Sequence, residues 1–181
     1  EECDGDRACL QCVSLEKACN QSCSHETSLS DYFQSQRINA SDAARGDTFG
    51  RSVSVSGSFA IVGANSDDDN GDGSGSAYIF AFTDGRWIEE AKIRAADGQH
   101  QDGFGGSVSI SGNTAFVGAP DDDDRGFSSG SVYIFTLTNG SWLQTAKLIP
   151  PDVEGSDYFG SSVSISGNRA IVGAVGDING A

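Results

Sequence analysis

The chain has 181 residues, with 11 Lys plus Arg against 26 Asp plus Glu, a net charge of −15. That balance excludes a basic face for nucleic acid and a polybasic contact with a membrane, and no apolar run is long enough for a transmembrane helix. Twenty-four glycines, abundant serine, three prolines and no methionine point to many short strands joined by tight turns rather than to a helical bundle.

The chain opens on a cysteine cluster. Cys3, Cys9, Cys12, Cys19 and Cys23 are the only cysteines. Such a local cluster reads as a small stapled module, here residues 1–31, of the kind found in oxidising compartments. Five is odd, so at least one thiol stays free or pairs with another chain. On a helix, Cys9, Cys12, Cys19 and Cys23 would share one stripe facing a partner; a non-helical knot with local bridges is the alternative. Three N-x-S/T sequons, at Asn20, Asn39 and Asn139, fit a secreted glycoprotein. The start at Glu1 reads as a processed chain that has lost its leader.

From residue 32 the sequence repeats with a period of 55 residues. Asp47 to Gly57, Asp102 to Gly112 and Asp157 to Gly167 align without gaps around Phe-Gly-x-Ser-Val-Ser-Val/Ile-Ser-Gly. Each is followed by Ala-Ile/Phe-Val-Gly-Ala, at 60–64, 115–119 and 170–174. Two units continue with Gly-Ser-Ala/Val-Tyr-Ile-Phe, at 75–80 and 130–135, and close with a Trp-led strand, 87–93 and 142–148. One unit therefore holds four short strands, here a to d. Strand a alternates serine with branched apolar residues, and strand b is almost wholly apolar or small. Strand c carries Tyr and Phe, and strand d opens on Trp. Gly57, Gly112 and Gly167 turn a into b. Asp84-Gly85 and Asn139-Gly140 turn c into d, as type I′ hairpins require.

A four-stranded antiparallel meander repeated at this period is a propeller blade. The sequence predicts an all-β fold: β-propeller blades at 47–94 and 102–149, a partial blade at 157–181, and a lone strand d at 32–38. The aromatics Tyr78, Phe80, Trp87 and Trp142 are expected to fill the space between blades. Tyr32, Arg37 and Asp42 fall in the columns of Trp87, Lys92 and Asp97. The strand count makes this a partial ring. Two explanations stay open: the chain is the first part of a longer protein, with seven units needing about 385 residues at this period, or separate chains complete one another's blades in a filament.

These motifs resemble the FG-GAP repeat, the blade motif of integrin alpha-chain propellers, in its extracellular tandem variety. The second unit even reads Val117-Gly118-Ala119-Pro120. The resemblance spans about residues 32 to 181 and implies a propeller at a cell surface. Integrin-type blades carry calcium ligands between strands a and b; here that place is a short Ser-Gly-Ser or Ser-Gly-Asn turn, so those ligands do not carry over.

The b–c loops are acidic in both full units. Asp68-x-Asn70-x-Asp72-Gly73 follows the start of a calcium loop, with alternate oxygens that converge on an ion and a glycine for the sharp turn. The closing glutamate is missing, since the twelfth position is Ile79. The expectation is either calcium at Asp68, Asn70 and Asp72 or a solvated acidic loop. Asp47, Asp102 and Asp157 are expected to cap the loop into strand a. No nucleophile elbow or catalytic motif surrounds His25 or His100, the only histidines. The sequence thus reads as a non-catalytic extracellular adhesion or assembly protein, carrying N-linked glycans and possible calcium. Its partners would be proteins, glycans or other chains, the last through the odd cysteine. A calcium-assisted integrin-like binding module is the alternative, and a propeller attached to a hydrolase a third reading.

Overall fold

The structure, a computed structural model, describes residues 10–14 and 33–177. Twelve strands and no helix occur among the described residues: β1 (Leu10–Ser14), β2 (Phe33–Ile38), β3 (Ser52–Ser56), β4 (Phe59–Ala64), β5 (Ser76–Thr83), β6 (Arg86–Ile93), β7 (Ser107–Ser111), β8 (Thr114–Ala119), β9 (Ser131–Thr138), β10 (Ser141–Leu148), β11 (Phe159–Ser166) and β12 (Arg169–Ala174). They form two four-stranded antiparallel meanders, β3-β4-β5-β6 and β7-β8-β9-β10, and two two-stranded sheets, β1-β2 and β11-β12. The meanders are the predicted blades, and β11-β12 is strands a and b of a third.

The hairpins close as their residues dictate. Asp84 and Gly85 have φ of 51° and 76°, and Asn139 and Gly140 of 52° and 78°. Both central residues of a type I′ turn need this left-handed backbone, which suits the twist of the flanking strands.

Successive blades are locked through their inner strands. The serines of strand a point forward: Ser54 Oγ accepts from Ile110 N at 3.2 Å, and Ser109 Oγ from Ile165 N at 3.0 Å. Ser52 and Ser107 donate to the carbonyls of Gly105 and Gly160. The apolar residues of strand a point backward, so Val108 and Ile110 are buried in one cluster with Ile61 and Ile79 of the preceding blade. The backbones also meet directly, with Gly75 bridged to Phe104 and Gly130 to Phe159. A Cβ on either glycine would strike the phenylalanine backbone, and φ of +85° at both disfavours any side chain. Tyr78, Phe80 and Trp142 are buried between blades as expected, whereas Trp87 is half-buried against β2 and Phe82.

Of the two alternatives for the cysteine segment, the helical stripe does not hold at Cys12, because Leu10–Ser14 is the strand β1. It pairs antiparallel with β2 as Leu10↔Ile38, Gln11↔Arg37 and Cys12↔Gln36, then slips by one residue to Val13↔Gln34. Both blades carry the same slip between c and d: Ala77↔Ile93, Tyr78↔Lys92 and Ile79↔Ala91, then Phe80↔Glu89. β1 therefore stands beside β2 as a strand c, bulge included. Cys3, Cys9, Cys19, Cys23 and Asn20 lie outside the described residues.

Candidate functional site

Among the described residues, one polar construction is built twice. In the first blade, the Lys92 ammonium on β6 lies 2.7 Å from Asp42, 2.8 Å from Asp67 and 2.7 Å from Asp69. The Tyr78 hydroxyl on β5 is within 2.9 Å of Asp67 and 2.8 Å of Asp42. In the second, Lys147 on β10 meets Asp97, Asp122 and Asp124 at 2.9, 2.8 and 2.6 Å, and Tyr133 donates to Asp122 at 2.8 Å. Each ammonium also stands over its tyrosine ring, 5.1 and 4.9 Å from the centroid.

The electrostatics follow from this geometry. Burial works against the charge on Lys92 and Lys147, but three carboxylates outweigh it and hold both well above the ordinary lysine range. Burial likewise opposes ionisation of Asp42, Asp67 and Asp97; hydrogen bonds and charge from the lysines overcome it and hold these carboxyls below their usual range. Burial, with the acidic neighbours, pushes both phenols up, so they stay donors. Each cage is a saturated knot with its cation built in, tying the loop before strand a to the b–c loop and to strands c and d.

The three aspartates before Phe-Gly do cap their loops. Asp47, Asp102 and Asp157 accept from the backbone N–H of Ala44, Gln99 and Glu154, each at 2.7 Å, and all three are buried. Burial pushes the Asp102 carboxyl up to about 6, with the Gln99 N–H opposing it and Asp122 adding to it.

The b–c loops turn their remaining polar groups outward. Asp68 Oδ1 accepts from Gly73 N at 2.9 Å, and Asp72 Oδ2 lies 3.3 Å from His100 Nε2. In the second loop, Asp123 Oδ1 accepts from Ser128 N at 2.6 Å. Asp68 and Asp72 are thus engaged within and beside the loop. Asn70 sits between them at a backbone that bonds Ser74 Oγ. Among the described residues no group of three or more His, Cys, Asp or Glu side chains is arranged to hold a metal ion. Between the two loops runs a groove of about 490 Å³, lined by Asp72, His100, Gln101, Asp121, Asp123 and Phe127 among others. Phe127 is 74% exposed there. Burial raises the Asp121 carboxyl.

The family model described as FG-GAP repeat matches three tandem stretches, 32–80, 87–135 and 142–181. The chain belongs to the FG-GAP repeat family. The first two matched stretches run from the aromatic of strand d into strand c of the next blade, ending at Phe80 and Phe135. The family unit therefore straddles the junction that the serines, glycines and phenylalanines hold together. FG-GAP repeats occur in integrin-like and adhesion-related propeller domains, typically extracellular ones. No curated protein matches the chain.

Sequence reasoning missed the cages, although their signal was present. Asp42 and Asp97 share one column, Lys92 and Lys147 another. Only the folded register shows that these columns meet across 50 residues. Of the sequons, Asn39 and Asn139 are exposed in loops.

Proposed function

We propose that this FG-GAP chain is a non-catalytic extracellular module for adhesion or assembly, which meets protein or glycan partners through the face carrying its b–c loops. The observation that carries this reading is the division of labour among polar groups. The lysine cages and aspartate caps use the buried charge to hold the blades together. The exposed side chain of Phe127, beside Asp121 and Asp123 and across the groove from Asp72 and His100, takes no part in that work. An aromatic face flanked by carboxylates suits sugar stacking and hydrogen bonding, or a cationic peptide. Asn39 and Asn139 are offered to N-glycosylation, in keeping with a secretory route.

The test uses the labelled full chain on cells of its source and on arrayed glycans. Saturable binding is expected, weakened roughly tenfold or more by Phe127→Ala, whose exposed side chain leaves the fold intact. Absence of binding, or binding indifferent to Phe127 and to Asp123→Asn, would sink the reading. Running the assay with and without calcium separates a calcium-assisted mode from a direct one.

A further inference from the structure

The groove of about 490 Å³ between the b–c loops lies between the two four-stranded blades. In the second loop the run of aspartates divides by alternation. Asp122 and Asp124 face Lys147, whereas Asp121 and Asp123 line the groove and are not committed to the cage. With Asp72 they bring acceptors, while Asn65, Ser66 and Gln101 bring donors. The Asn65 amide oxygen accepts from Thr48 Oγ1 at 2.7 Å, so what this side chain brings to the groove is its NH2. Asp123 Oδ1 accepts from Ser128 N at 2.6 Å, and Asp72 Oδ2 lies 3.3 Å from His100 Nε2. Both carboxylates are thereby oriented, with lone pairs to spare. The exposed Phe127 ring completes the wall.

Two of the lining residues hold a backbone that the repeat gives to glycine elsewhere. Gln101 has φ of 65°, where its repeat mate Gly46 has 104°, and Ser128 has 49°, where Gly73 has 66°. The left-handed region disfavours a side chain and costs glycine nothing. The fold uses the Gln101 backbone, whose N–H donates to the Asp72 carbonyl at 2.9 Å. Gly46 shows that a blade forms with no side chain in that column. At both strained positions a polar side chain is nevertheless kept, and both line the groove. Strain of this kind gathers where side chains serve binding.

We propose that this groove binds a neutral glycan, with a pyranose ring stacked on Phe127 and its hydroxyls held between the carboxylates and the amides. The proposal rests on the surface-binding reading above and names its ligand class. The balance of donors and acceptors decides for a sugar. A hydroxyl both donates and accepts, so a ring with neighbouring hydroxyls uses both sets at once. An ammonium or guanidinium only donates, and would leave the Asn65 and Gln101 amides unmatched. Charge then narrows the sugar. Among the described residues no lysine or arginine lines the groove, and the chain carries −15, so sialylated, sulfated and uronic-acid glycans are repelled. The C–H face of a pyranose suits the electron-rich face of the phenyl ring. The volume also lies within the range of about 300–1,000 Å³ usual for small-molecule sites.

The experiment puts the full chain on arrayed trisaccharides of glucose, mannose, galactose and N-acetylglucosamine, beside sialylated, sulfated and uronic-acid glycans and an oligoarginine peptide. Gln101→Gly is the decisive variant, because glycine suits the left-handed backbone there and only the amide is lost. Saturable binding to at least one neutral series is expected, and none to the anionic glycans. Gln101→Gly is expected to weaken it about three- to tenfold, as one hydrogen bond does, and Phe127→Ala roughly tenfold or more. No neutral glycan bound, an anionic glycan preferred, or binding indifferent to Gln101→Gly would overturn the proposal. Binding of the oligoarginine peptide in place of the sugars would overturn it too, and would make the partner a basic protein. Cell binding that persists and still depends on Phe127, with no glycan bound, would sink the glycan and leave the adhesion reading standing. Loss of cell binding as well would remove both.

Discussion

Replacing Lys147 with methionine keeps the length of the side chain and removes its charge. Asp122 then loses its cation while its side chain remains only 3% exposed, and the 2.8 Å pair it makes with Lys147 is the most enclosed of the three. Breaking a buried pair by removing one partner costs about 3–5 kcal/mol, because a carboxylate is stranded. Asp97 and Asp124 are 48% and 39% exposed, so each of their pairs adds only about 0–1 kcal/mol. A loss of about 3–5 kcal/mol is a large part of the 5–15 kcal/mol typical of a domain. Urea unfolding followed by tryptophan fluorescence reads it, since Trp142 lies on the same strand and is packed against Phe59. Adding Asp122→Asn to Lys147→Met should restore at least half of the loss, because the stranded charge is then gone. A single variant that costs under about 1 kcal/mol, or a double variant no better than the single, would refute the account of the cage.

Three further outcomes follow from the buried carboxylates and the inter-blade contacts. Burial raises the Asp102 carboxyl from its ordinary 3.8 to about 6 in the folded chain, so the folded chain takes up a proton more readily than the unfolded one. This group's contribution therefore becomes more favourable as pH falls from above 6 toward 4, by up to about 3 kcal/mol, and Asp102→Asn should abolish that slope in urea titrations at several pH values. Asp42, Asp67 and Asp97 have lowered pKa values, so what they contribute is present above pH 3.8 and lost as pH falls below it; if stability climbed steadily from pH 4 to 7, the assignment of these groups would be wrong. Gly130→Ala should cost more than about 2 kcal/mol and speed amide exchange in β11, because the new Cβ would strike the Phe159 backbone. Gly140→Ala has open space around it and should cost about 1 kcal/mol; equal costs at the two glycines would deny the inter-blade approach.

The blades were legible because their pattern is local. Serine alternating with valine or isoleucine, Asp84-Gly85 and Asn139-Gly140 state a strand and its turn within a few residues. The direction in which the serines point was not legible, since a period of two gives two faces without saying which meets a neighbour. The partners of Ser54 and Ser109 lie 56 residues on. The lysine cage was visible only as unexplained columns, because Asp42 and Lys92 meet through the meander and not through sequence spacing. β1 was hidden for another reason. Leu10-Gln11-Cys12-Val13-Ser14 lacks the Tyr-Ile-Phe of strand c and stands among cysteines, so its strand character shows in its pairing with β2 rather than in its own composition. In the b–c loop, the alternation of Asp68, Asn70 and Asp72 drew attention to a cation site, while the neighbouring Asp67 and Asp69 are the residues that face a cation, Lys92.

The most direct measurement of the central claim is the binding of the labelled chain to cells of its source and to arrayed glycans, with and without Phe127→Ala. The account predicts saturable binding that the substitution weakens roughly tenfold or more, since the exposed Phe127 side chain stands in the groove between the b–c loops. No binding, or binding indifferent to Phe127, would contradict it.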